Sequence, residues 1–221
     1  MVDDSAAKKH VALSSLSKQV ILRYLNMILN HDKRLTPFTL ASTEDRYVMN
    51  VELPDGSSVR TKGTIDRVDQ LNGQIRVVDY KSGQADLSFT DVAALFDKEK
   101  KSARNKYALQ TILYCLLYIT NEEKNHRPTP IVMPHIYAVR TLESQNDTVL
   151  QQKIKTTVLD EKTGKEKNLQ TLVNVDVLVL REPFMNELKK LMMEVMNPEV
   201  PFTMTQDSQE CENCAFAALC K

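Results

Sequence analysis

Leu13, Leu16, Val20, Ile21, Tyr24, Leu25 and Ile28 recur at the spacing of one helical face, so the chain is predicted to open with an amphipathic packing helix of about four or five turns. Three strand-like runs follow, over 47–53, 59–68 and 74–80. The joints between them, Pro54-Asp55-Gly56 and Leu71-Asn72-Gly73, are turn sequences in which Gly or Asn accepts a positive φ. An antiparallel meander is therefore expected. A helical pattern returns between 91 and 121, where a charged stretch (97–106) leads into Tyr107, Leu109, Ile112, Leu113, Leu116 and Leu117. One long helix is placed near 103–120. A strand is expected over 131–141, with Pro128, Pro130 and Pro134 punctuating its approach. The polar, lysine-rich stretch 143–170 reads as a hairpin excursion turning at Thr163-Gly164, and a helix near 182–196 follows. Helix alternating with strand implies an α/β core.

Length adds that 221 residues bury one sizeable core. The expected organisation is one main domain over 1–200, carrying the N-terminal helix and a hairpin insertion near 143–170. A cysteine-containing tail, 201–221, packs on it. Hydrophobic content of 42% and charged content of 26% are those of an ordinary globular protein. Lys plus Arg (29) balance Asp plus Glu (29), so no global basic field announces nucleic acid, and local placement must decide. No apolar run reaches the roughly 18 to 20 residues of a membrane span, and MVDDSAAKKH lacks the apolar core of a signal peptide. A cytoplasmic location without membrane contact is the expectation.

The chemistry concentrates around the turn at Asn72-Gly73. Its two arms carry Asp66 on one side and Asp79 with Lys81 on the other, and the hairpin register brings all three towards one end. Two carboxylates there can hold a hard divalent cation through oxygen, with magnesium the natural choice. Lys81 lies two residues after Asp79, so both share a strand face, and an ammonium there can bond the attacking water or a phosphate. A single Asp or Lys in a strand is more often merely solvated. The apolar run Ile75-Arg76-Val77-Val78, however, leads from a buried interior straight to a carboxylate, which is costly unless that group is paired or binds a metal.

Gly63-Thr64-Ile65-Asp66-Arg67-Val68-Asp69, followed by Val77-Val78-Asp79-Tyr80-Lys81-Ser82-Gly83, resembles motifs II and III of RecB-type PD-(D/E)XK nucleases. Gln110-Thr111-Ile112-Leu113-Tyr114 is similar to the Q-x-x-x-Y motif of the same enzymes, and Gln and Tyr four apart share a helix face. Pro37-Phe38 and then Glu44 resemble the approach to the core in the AddB-like branch. The resemblance implies a restriction-endonuclease-like α/β fold, a mixed sheet with an antiparallel meander flanked by helices. It implies Asp66, Asp79 and Lys81 as catalytic residues. Asp66, Asp79 and the Tyr80 backbone carbonyl would be ligands for Mg²⁺ or Mn²⁺, and Gln110, Tyr114 and the site-edge Glu44 would position substrate.

Cys211, Cys214 and Cys220 form a C-x2-C-x5-C array, suited to zinc or an iron–sulfur cluster rather than to disulfides. With Pro201-Phe202 and Asp207 upstream, the array resembles the C-terminal part of the iron–sulfur staple of AddB-like nuclease domains, whose fourth cysteine lies N-terminal to the core. Here no cysteine precedes Cys115, which sits in the apolar run 113–119 as a small buried hydrophobe. A 4Fe–4S cluster is expected to be incomplete in this chain. RecB-type domains also begin with a helix that presents a His or Glu to the metal, and neither His10 nor His31 has that setting. The chain is accordingly expected to be the C-terminal piece of a larger protein, weakly active or inactive alone.

The resulting expectation is a metal-dependent deoxyribonuclease, a RecB-like exonuclease domain of DNA repair or recombination, with DNA and a helicase subunit or region as partners. The alternative is a nuclease fold retained as a DNA-binding or scaffold module without chemistry. A small zinc-binding interaction protein would explain the cysteines but not the hairpin.

Overall fold

The structure is a computed structural model that describes residues 15–97, 104–144, 147–159, 166–201, 203, 211–212 and 214–219. Expectations falling on the charged stretch 98–103, the turn at Thr163-Gly164, His10, Phe202, Asp207 and Cys220 lie outside the described residues. The chain forms an α/β fold of the restriction-endonuclease-like kind, in which mixed sheets are flanked by helices.

The meander consists of β1 (Thr39–Glu52), β2 (Ser58–Leu71) and β3 (Gln74–Lys81), paired antiparallel in sequence order. Leu71 pairs with Gln74 across a two-residue loop. Asn72 (φ 52°) and Gly73 (φ 81°) both adopt the left-handed conformation that such a loop needs to match the strand twist. The first two strands are longer than their apolar runs predict. Polar residues continue the β1–β2 ladder as far as Thr39 and Gln70, because main-chain pairing does not depend on apolar side chains.

β5 (Val132–Ala138) joins β3 in parallel and forms the sheet edge, giving the order β1-β2-β3-β5. The short β4 (Ser88–Phe89) precedes it in the chain. Pro134 is tolerated inside β5 because an edge strand need not donate on both sides. Its carbonyl accepts from Leu150 N–H at 2.9 Å. β6 (Gln151–Leu159) and β7 (Glu166–Asn174) form an antiparallel ribbon, and β6 pairs with β4 in a second sheet. The ribbon starts eight residues later than the 143–170 excursion suggested, since Val139–Ser144 form a 3-10 turn.

The helices are α1 (Ser15–Leu35), α2 (Val92–Phe96), α3 (Lys106–Lys124) and α4 (Val177–Met196). α3 starts later than its apolar pattern suggests because Asn105 caps it, its side chain accepting from the Tyr107 and Ala108 N–H groups. α4 starts five residues before the expected 182. Proline inside a helix removes one main-chain donor, so its interior placement needs compensation from packing. Burial of Val177, Leu180 and Phe184 extends the helix back to the Asp176 cap, leaving Pro183 in its interior.

The main core lies between one face of the first sheet and the helices α3 and α4. Val68 and Val77 from the strands meet Ile112, Leu116 and Phe184 there. A smaller cluster on the opposite face joins Val78, Tyr137 and Leu142 to Ile28 of α1. Helix α1 packs less than its periodicity implies: of the expected face, Leu16, Val20, Ile21 and Leu25 are exposed, whereas Met27, outside that face, is buried. Among the described residues no helix is long and apolar enough to cross a membrane.

Candidate active site

β3 runs between β2 and β5, so its side chains are enclosed on both flanks, and Asp79 is fully buried. The β2–β3 ladder pairs Val68 with Val77 and Arg67 with Val78. One further step in that register sets Asp66 opposite Asp79, and opposed residues of an antiparallel pair share a face. Ile65 and Val68 both enter the main core although three residues apart, so the alternation of β2 slips by one at this end of the hairpin. Asp66 Oδ2 accepts the Tyr80 N–H at 2.9 Å, which ties the two arms together.

Lys81 Nζ reaches back to Asp79, donating to Oδ1 at 3.0 Å and lying 2.8 Å from Oδ2. The approach to Oδ2 is off the hydrogen-bond direction, so this buried oxygen has an ion-pair neighbour but no hydrogen-bond donor. Burial pushes the Asp79 carboxyl above the ordinary carboxylate range; the Lys81 ammonium draws it down and the Asp66 charge pushes it up. Two close carboxylates with an unsatisfied buried oxygen fit a hard divalent cation. Among the described residues no three His, Cys, Asp or Glu side chains gather around one point. Among the described residues, the carboxylates of Asp66 and Asp79 are thus the side chains here that could serve as donors to such an ion.

A chain of hydrogen bonds continues onto α3. Lys81 Nζ donates to Gln110 Oε1 at 2.9 Å, and Gln110 Nε2 donates to the Tyr114 hydroxyl at 2.7 Å. Lys81 also lies over the Tyr107 ring, 5.1 Å from its centroid. Gly63 faces this helix at close range: a Cβ added there would sit 2.8 Å from Tyr114 Cε1 and 2.9 Å from Leu117 Cδ1. The structure therefore joins Asp66, Asp79, Lys81, Gln110 and Tyr114 into one polar constellation. Glu44 stands apart from these bonds. It occupies the β1 position facing Asp66, between the pairs Thr43↔Arg67 and Asp45↔Ile65, exposed and at φ 53°.

The other face of the same strands carries charges to which the sequence pattern assigned no role. Asp69 accepts from Arg67 Nε (2.6 Å) and from Arg76 Nε (2.6 Å) and Nη2 (2.8 Å), all within the interior. Arg67 also bonds Asp32 of α1 and the Tyr80 hydroxyl, and the Phe38 ring lies 4.7 Å from its guanidinium. Arg67 and Asp69 stand inside the motif that begins at Gly63, yet nothing in the sequence links them to Asp32, thirty-five positions before Arg67.

Of the cysteines, Cys115 is buried within α3, where burial pushes its thiol far above the usual range. Cys211 and Cys214 lie in one short turn: Cys214 N–H donates to the Cys211 carbonyl at 3.3 Å, and Cys214 Sγ accepts from Phe216 N–H at 3.4 Å.

The family model of the PD-(D/E)XK nuclease superfamily matches residues 2–221, and the chain belongs to that superfamily. Three similar relatives are named as subunits of an ATP-dependent helicase/deoxyribonuclease, the B component in each case. That of Acetivibrio thermocellus is 23% identical over 257 residues, covering 98% of this chain and 22% of the relative. That of Ruminiclostridium cellulolyticum is 24% identical, covering 97% and 22%. That of Clostridium novyi is 30% identical over 120 residues, covering 50% and 10%. The chain thus spans 22% of the length of the first two.

Proposed function

We propose that this chain is a metal-dependent DNA nuclease domain, a RecB-like exonuclease acting in DNA repair or recombination beside a helicase. The observation that carries the reading is the buried Asp79 carboxylate, ion-paired to Lys81 yet with one oxygen lacking a donor, next to Asp66 at the same end of the hairpin.

Asp66 and Asp79 would hold the cation, Mg²⁺ or Mn²⁺, with the Tyr80 carbonyl as a further ligand. When bound, such an ion supplies Lewis acidity that polarises the phosphate and acidifies water. Lys81 has three N–H donors. Asp79 Oδ1 and Gln110 Oε1 take two, and the third is free to bond the incoming water or a non-bridging phosphate oxygen. Water adds to phosphorus as the bond to the 3′ or 5′ oxygen breaks, and the negative charge building on the phosphoryl group faces the ammonium. Gln110 fixes the ammonium and is fixed by Tyr114, so both act by positioning, and Glu44 lies at the rim. Replacing Asp79 or Lys81 by Ala is expected to abolish cleavage of labelled DNA with the circular dichroism spectrum unchanged. Metal-dependent cleavage surviving in both variants refutes the assignment.

A second reading is favoured by the small donor set, in which no three ligating side chains come together among the described residues. It makes the domain a DNA-binding or scaffold module without chemistry. Calorimetric titration of Mn²⁺ into the parent and Asp66→Ala proteins separates the two, since only a metal centre loses heat of binding on that substitution. Cys211 and Cys214, with Cys220, are proposed as the C-terminal ligands of an iron–sulfur or zinc site. The sulfur of Cys214 already accepts an N–H, a bond typical of ligating thiolates. Iron and sulfide analysis of anaerobically prepared protein is expected to fall short of a full 4Fe–4S complement, and a full cluster would overturn the expectation that it is incomplete.

A further inference from the structure

The β2–β3 ladder ends at the pair Arg67↔Val78, one step short of the two carboxylates. Beyond that pair β2 continues only against β1, and Asp79, Tyr80 and Lys81 of β3 pair with Ile136, Tyr137 and Ala138 of β5. The separation of Asp66 from Asp79 is therefore not set by ladder hydrogen bonds. Two other bonds span the gap. Asp66 Oδ2 accepts the Tyr80 N–H at 2.9 Å on one side of the sheet. Arg67 Nη1 donates to the Tyr80 hydroxyl at 3.1 Å on the other. Arg67 follows Asp66 in the chain and Tyr80 follows Asp79, so the bonds close a ring that includes both arms of the hairpin. Sliding one arm past the other breaks both together.

Arg67 can serve as the fixed point of that ring because it is itself immobilised. It is 5% exposed, stacked on Phe38 and bonded to Asp69. Asp69 is shared with Arg76, so one carboxylate faces two guanidinium groups. Asp32 on α1 supplies the second negative charge: its Oδ2 accepts from Arg67 at 2.5 Å and its Oδ1 from the Tyr137 hydroxyl at 3.2 Å. Two positive and two negative charges then balance in the interior, and the balance depends on a helix outside the sheet. Without Asp32 the buried group carries a net positive charge next to the hairpin end, which favours relaxation of Arg67 towards water.

We propose that Asp32, Arg67 and the Tyr80 hydroxyl form a brace behind the sheet that sets the Asp66–Asp79 spacing, making them positioning residues of the metal site. The proposal rests on the metal-dependent reading given above. It assigns α1 a task beyond packing, and it makes metal affinity sensitive to groups on the face opposite the ligands, as outer partners of metal ligands are elsewhere.

The test measures Mn²⁺ binding to the full chain by electron paramagnetic resonance of the free ion, without DNA, for the parent, Tyr80→Phe, Asp32→Asn and Asp79→Ala proteins. Tyr80→Phe keeps the ring and removes one hydroxyl, so its melting temperature stays close to that of the parent. Its Mn²⁺ dissociation constant is expected to rise about tenfold, while DNA affinity measured in EDTA is unchanged. Asp32→Asn is expected to weaken Mn²⁺ binding likewise. If Tyr80→Phe and Asp32→Asn bind Mn²⁺ like the parent while Asp79→Ala does not, the brace is refuted and the metal site stands. If Asp79→Ala binds Mn²⁺ like the parent, the metal site itself is refuted and the brace with it.

Discussion

Replacing Gly63 by Ala probes how tightly the site is coupled to α3. Gly63 lies on β2 with no unusual φ, so the requirement for glycine here is one of space. The new methyl carbon would stand 2.8 Å from Tyr114 Cε1 and 2.9 Å from Leu117 Cδ1. Carbon atoms settle at about 3.5 Å or more, so the Tyr114 ring must retreat by about 0.7 Å. If the hydroxyl follows the ring, the Gln110–Tyr114 bond stretches from 2.7 Å to about 3.4 Å, beyond a normal hydrogen bond. Gln110 is then free to rotate away from Lys81. Overpacking of this size costs about 1–3 kcal/mol, and each kcal/mol lowers the melting temperature by about 2–4 °C in a chain of this length. Thermal melting and a cleavage assay on labelled DNA should both register the change. In a Tyr114→Leu background, where the ring is absent, the penalty for Gly63→Ala should shrink, which a double-mutant cycle reads as coupling. A Gly63→Ala protein that melts within a degree of the parent and cleaves at the same rate would refute the reasoning.

His135 makes stability depend on pH. Burial, reinforced by the Arg76 charge, pushes its imidazole down to about 3. The unfolded chain therefore binds this proton below about 6.5 when the folded chain does not, and stability is lost as pH falls from there towards 3. At pH 5 the loss is about 2 kcal/mol, and the difference in urea midpoint between pH 7.5 and pH 5 should shrink correspondingly in His135→Gln. An equal pH response in both proteins would count against it. Asp69→Asn leaves two buried guanidinium groups on a neutral amide and is expected to cost about 3–5 kcal/mol by chemical denaturation. A loss below 1 kcal/mol would mean that water replaces the carboxylate. Cys115 is fully buried and its thiol is pushed up, so iodoacetamide at pH 8 should label Cys211 and Cys214 in the native protein and spare Cys115. Mass spectrometry reads this directly, and native labelling of Cys115 would show that α3 opens.

Much of this protein was written in local pattern. The alternating runs and the Asn72-Gly73 turn determine the meander, because strand period and turn conformation depend only on neighbouring residues. Asp79, Lys81, Gln110 and Tyr114 were legible as a group because their spacings are short: two residues on a strand and four on a helix. Element ends were less legible. Val177, Leu180 and Phe184 carry α4 back past the expected start at 182, because the apolar surface they bury lies on other elements. The link from Lys81 to Gln110 needed the packing of α3 on the sheet, and the space at Gly63 is defined only by the helix above it. The furthest from view was the role of Asp32. It is an unremarkable acid near the end of a helix until folding brings it to Arg67, across thirty-five positions. Sequence by itself determined which strands form the hairpin and which polar residues sit at its end. Tertiary structure alone decided which buried charges balance, because long-range contacts leave no period in the chain.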